Sequence, residues 1–188
     1  MPAIDDRKNM KLPNLTGVML AAGAIIGALE ILSPSKGSLL LLLTYWTAVV
    51  EGSIALVAAA ELSNAKWIQP VKLKLLVLYY MIPFLALLFL LMFMRMGIYP
   101  WMDHQTRWLN KNFFMSRNLF LFLIIFAAAR KFVVSSVEER ESKKKYAVLY
   151  LLAFVCAQSF VAFDWVMPLE YPWISTLFGG FFFVEAVY

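Results

Sequence analysis

Apolar residues in this chain come in long blocks, with polar and charged residues gathered in the gaps between them. The blocks run over Leu15–Leu32, Ser38–Leu62, Leu75–Met94, a stretch around Leu119–Ala129, Tyr146–Phe163 and Trp173–Tyr188. A membrane-spanning helix needs roughly 20 predominantly apolar residues, so this pattern predicts about six transmembrane helices. The fourth block is too short alone. It reaches span length only by beginning near Phe113 and ending near Val134, which draws Arg117 into the helix. Gly23 and Gly27 in the first block have the G-x-x-x-G spacing that lets a neighbouring helix approach closely. Pro83, inside the third, predicts a kink.

Composition agrees with the pattern. The 188 residues are 62% hydrophobic and 15% charged, with a mean hydropathy of +0.73. A soluble domain is nearer half apolar and a quarter charged, so the chain reads as an all-α integral membrane protein. Residues 1–14 form a polar tail, and residues 15–188 one transmembrane domain. The tail lacks the basic segment, short apolar run and cleavage site of a signal peptide. One Cys and one His exclude a disulfide framework and a Cys/His metal site within these 188 residues.

Charge then sets an orientation. Twelve Lys and Arg fall in the tail, the connection near Lys66–Lys74 and the connection Arg130–Lys145; the opposite connections hold five, completing the 17 present. The positive-inside rule puts the N-terminus in the cytoplasm and the aromatic connections around Trp101 and Trp165 outside. The net charge of +5 is thus a loop bias, with no nucleic-acid surface implied. The charge run RKFVVSSVEERESKKK reads as a solvated face touching anionic headgroups.

Charged residues inside the blocks are the candidates for chemistry, because each costs at least a few kcal/mol in lipid. Glu51 lies about 13 residues into its block, ~20 Å deep at 1.5 Å per residue. It is either a neutral Glu bonded to a neighbouring helix or a group facing a water path. Glu185 lies about 12 residues past Trp173, ~18 Å deep by the same measure. Arg117 either snorkels outward or pairs with a membrane carboxylate. Asp164 closes the fifth block beside Trp165 at the outer interface, as a surface carboxylate just outside the lipid or as a costly charge at the end of a membrane run. Carboxylates at graded depth pass protons where water links them, so Asp164, Glu51, Glu185 and Arg117 form a candidate proton path. A quinone headgroup wants a proton acceptor and flat aromatic walls, for which His104, Trp101, Trp108 and Trp165 have the right side chains. A lone His in a loop is more often simply solvated.

Several segments carry a resemblance. They are SNAKWIQPVK (Ser63–Lys72), IYPWM (Ile98–Met102), RWLN (Arg107–Asn110), FFMSR (Phe113–Arg117), VAFDWVMPLE (Val161–Glu170) and WISTLFG (Trp173–Gly179). Together they resemble the NrfD/polysulfide-reductase-like membrane subunits of bacterial alternative complex III, more the F-type than the C-type, from about Ser38 onward. The resemblance implies helices 2–5 as a four-helix bundle and the start of a second bundle, so that this is a half-length or truncated member. Where the family often has His before the Trp corresponding to Trp173, this chain has Pro172. The implied setting is the bacterial inner membrane, in a quinol:electron-acceptor oxidoreductase with a second NrfD-like subunit, an iron–sulfur subunit and cytochrome c subunits. Heme c and Fe–S centres would belong to those partners, with menaquinol or quinone the candidate ligand here and no metal held by this chain. The implied role is support of quinol oxidation and a share in a proton path. A small proton or ion transporter, or a structural or assembly subunit, are the alternatives.

Overall fold

The computed structural model describes residues 37–187 and, within the preceding stretch, Ile25 alone. The tail, the block Leu15–Leu32 with its glycine pair, and the orientation of the N-terminus therefore lie outside the described residues. All regular structure among the described residues is helical. Four stretches are long and apolar enough to cross a membrane: α1 (Ser38–Leu62), α2 (Lys72–Ile98), α3 (Lys111–Val137) and α4 (Lys143–Glu170). A fifth, α5 (Phe178–Glu185), is short. The chain is a multi-pass membrane protein.

The four spans close into a bundle in which α1 packs on α2 and α4, and α3 packs on the same two helices. Short connections make each span antiparallel to the one before it. Lipid is as apolar as leucine, so packing density and interhelical polar bonds hold such a bundle together. The interior is accordingly tight: Leu43, Val50, Ile54, Ile125, Phe132 and Tyr150 are fully buried. Leu41, Leu87, Met94, Phe120, Leu123 and Leu152 point outward and are exposed, as side chains meeting acyl chains must be.

Two prolines shape the spans. Pro83 has no N–H to give the carbonyl of Tyr79, and its ring crowds that oxygen. The helix answers with a tighter 3₁₀ stretch over Val77–Tyr80 before resuming at Met81. Pro168 does the same to the carbonyl of Asp164. Here the helix widens into a π turn over Val161–Val166 and ends in a 3₁₀ turn at Met167–Glu170. At the start of α3, the Asn110 side chain accepts hydrogen bonds from the N–H groups of Asn112 and Phe113, a sequence-local cap.

The last apolar block departs from expectation. No helix begins at Trp173; α5 starts at Phe178, and its eight residues rise only about 12 Å. Among the described residues it is not a span, so four crossings are described where six were expected. Instead α5 lies against α4, and the chain just beyond it meets α1. A Cβ on Gly52 would stand 1.7 Å from the carbonyl oxygen of Ala186, so only glycine permits this crossing. Gly180, by contrast, has open space around it.

Gly52→Ala should therefore push the C-terminal segment off α1 and lower stability by roughly 1–3 kcal/mol. Gly180→Ala should stay within about 0.5 kcal/mol of the parent in the same thermal-unfolding assay. Equal stability of the two variants would contradict the close approach.

Candidate functional site

The π turn in α4 carries Asp164 and Trp165 into the bundle rather than leaving them at its edge. Asp164 is fully buried. Arg117, six residues into α3, reaches it with two parallel bonds: Nε to Oδ2 at 2.8 Å and Nη2 to Oδ1 at 2.7 Å. Asn118 Nδ2 donates a third bond to Oδ2 at 3.0 Å, and its Oδ1 accepts from Trp165 Nε1 at 2.8 Å. Adjacent residues on α3 thus grip adjacent residues on α4. The fork of a guanidinium matches a carboxylate, so this pair fixes angle and register as well as charge.

Aromatic rings enclose the cation. The Arg117 guanidinium lies 4.1 Å from the ring centre of Trp108 and 4.7 Å from that of Phe113. Ring quadrupoles attract a cation most where water is excluded, so these faces replace part of the lost hydration. Beneath the pair, Phe89 stacks on Trp165 with centroids 5.1 Å apart, and the Tyr99 hydroxyl donates to the Trp165 carbonyl at 3.0 Å. Trp101 is buried beside Tyr99 and Phe114.

Glu51 occupies mid-span on α1. It is buried, and its carboxylate accepts from Gln158 Nε2 on α4 at 2.8 Å. Tyr150, also on α4, donates to the Glu51 carbonyl at 2.8 Å. Between Glu51 and the Asp164 cluster lies a void of about 10 Å³ whose lining includes Thr47, Glu51, Asn118 and Trp165. That is the lower limit for one water molecule. The Thr47 hydroxyl in its wall is buried without a hydrogen-bond partner.

The other sequence candidates lie elsewhere. Glu185 is exposed at the end of α5, not deep among the carboxylates, because the helix starts late and packs sideways. His104 is exposed in the connection between α2 and α3. Trp101 and Trp165 are core residues. Of the four residues expected around a quinone, only Trp108 lines the cleft of about 630 Å³ on the outside of α4. Phe160, Phe163, Tyr171 and Trp173 supply much of its remaining wall.

At the opposite end of the bundle the structure holds a second buried cluster that sequence reasoning did not single out. Lys72 Nζ, at the start of α2, lies 2.6 Å from Glu61 at the end of α1. It also reaches Glu139 at 2.7 Å and donates to the Ser136 carbonyl at 2.9 Å, while the Ser136 hydroxyl donates to Glu61 at 2.7 Å. Lys143 at the start of α4 completes the group through Glu139. The signal was a Glu and a Lys flanking one tight connection, obscured by the general richness of that side in Lys and Arg. Hydrogen bonds from Lys143 and then Lys72 hold the Glu139 carboxyl down at about 2, against an ordinary 4.5.

Among the described residues, no group of His, Cys, Asp and Glu is arranged to hold a metal ion. Comparison with protein-family profiles, with curated proteins and with solved structures returns no match.

Because folding depresses the Glu139 pKa, its contribution to stability is complete above about pH 4.5 and is lost as pH falls toward 2. Glu139→Gln should remove that part of the acid-side fall, seen by comparing thermal midpoints of the two proteins across this window. Identical acid profiles would contradict the linkage.

Proposed function

We propose that this chain is a membrane subunit of a quinol:electron-acceptor oxidoreductase of the alternative complex III type, acting in a bacterial inner membrane. The segment resemblances support the class of complex, in particular RWLN–FFMSR and VAFDWVMPLE, which contain both members of the Arg117–Asp164 pair. In this reading the chain has no redox centre of its own. Electrons pass through an iron–sulfur subunit and cytochrome c subunits, and a second NrfD-like subunit completes the membrane part. The cleft beside Trp108 suits a flat quinone ring with an apolar tail.

The chain's own contribution is a segment of a proton path. The observation that carries this is the void shared by Glu51 and Asn118. Asn118 is bonded to Asp164, so one water in that void would join a mid-span carboxylate to the Asp164 cluster near the aromatic end. Thr47 offers it a further hydroxyl. Glu185 and His104 have no part in this route.

A structural or assembly role is the second reading, and a specific observation favours it. Both Asp164 oxygens are already engaged by Arg117 and Asn118, and a saturated carboxylate is a better clamp than a relay.

The test uses the purified assembly in liposomes, following quinol-dependent cytochrome c reduction together with proton movement. Glu51→Gln should keep the assembly and its electron transfer while lowering protons moved per electron. An unchanged proton-to-electron ratio would remove the path and leave the structural role. Purification without any heme protein would remove the complex itself.

A further inference from the structure

The basic end of the bundle has a feature that the proton path does not use. A cavity of about 470 Å³ opens between α3, the connection after it and the first turn of α4. Arg130, Lys131 and Arg140 line it, together with Phe126, Val134 and Tyr146. Arg140 is paired with Glu138. Among the described residues, neither Arg130 nor Lys131 is ion-paired with a carboxylate, although Glu138 and Glu139 follow seven to nine residues later, just past the end of α3. Those carboxylates are held by Arg140, Lys72 and Lys143. Among the described residues, two exposed cations therefore stand around one pocket without a paired carboxylate.

We infer that this cavity is a binding site for an anionic phospholipid, its phosphate held by Arg130 and Lys131 and its acyl chain laid along Phe126 and Ala127. The vertical order carries the assignment to a lipid. Phe126 lies one turn deeper in the span than Arg130, about 6 Å, and Arg140 and Tyr146 lie toward the helix ends. Chain-binding surface thus sits deeper in the span, with the cations one turn nearer the membrane face. Basic pockets between helices at a membrane face are the form that recognition of anionic lipids takes. A phosphate entering here would share Arg140 with Glu138 and leave the Lys72 cluster intact. The inference does not depend on the oxidoreductase reading.

The test is native mass spectrometry of the full-length protein in its native assembly. The protein is first equilibrated with equal amounts of phosphatidylglycerol and phosphatidylethanolamine of identical acyl chains. The parent should retain phosphatidylglycerol preferentially. Each basic group near a membrane surface contributes roughly a fivefold preference, so Arg130→Gln with Lys131→Gln should lower the enrichment about tenfold or more. Lys66→Gln with Lys74→Gln removes equal charge from exposed positions on the same side and should change it less than about twofold. Arg130→Lys with Lys131→Arg should preserve it, which separates charge from misfolding. No enrichment in the parent, equal loss in both Gln pairs, or loss in the charge-conserving pair would overturn the site. Displacement of the lipid by millimolar inorganic phosphate would also overturn it, marking a site for free phosphate.

Discussion

An ion pair in hydrocarbon holds only while both charges stay together, because separating them exposes each to a medium that cannot solvate it. Arg117 and Asp164 meet this condition with a two-bond fork, a third bond from Asn118 and aromatic faces around the cation. The remaining geometry of the aromatic end follows. Asn118 is committed to Asp164 and to Trp165, so α3 cannot slide along α4 by one residue without breaking all of these bonds. Trp165, fixed by Asn118, presents its ring to Phe89 of α2 and its carbonyl to Tyr99. One charged contact thereby sets the positions of three helices and the connection between two of them.

The opposite end uses the same chemistry more loosely. Lys72 joins α1, the end of α3 and the loop before α4, but Glu139 in that cluster is half exposed and shares its charge between two lysines. Water screens such a group, and exposed pairs of this kind are individually weak. Between the two ends Glu51 and Gln158 provide a third polar level. The bundle is thus pinned at three depths, with packed aliphatic and aromatic side chains between them. In lipid, where apolar burial adds little between helices, polar levels of this kind specify which neighbours pair.

Much of this was legible in the sequence. The block Ser38–Leu62 is α1 to the residue, and the extension of the fourth block through Arg117 proved necessary for α3. Arg117 met a membrane carboxylate, the alternative to snorkelling. Asp164 lies inside the helix rather than beyond it, for a reason written four residues later at Pro168, whose effect on a π turn no hydropathy count registers. Glu51 is bonded to a neighbouring helix, as one of its two readings had it. Glu185 was placed by counting from Trp173, and counting fails where a helix begins five residues late. The chemistry of the tryptophans suits pocket walls, yet Trp101 and Trp165 serve as core, a role that aromatic content alone cannot distinguish. Lys72 is indistinguishable in sequence from loop charge, since nothing local marks a lysine that will be buried by a distant helix end.

The central claim is that Arg117 and Asp164 act as one unit whose parts cannot be removed separately. A double-mutant cycle on the reconstituted protein, comparing Arg117→Gln, Asp164→Asn and the two together by reversible unfolding, measures this directly. Each single change should cost about 3–5 kcal/mol by leaving a buried charge alone, and the double variant should recover a large part of that loss. Strictly additive costs would contradict the claim.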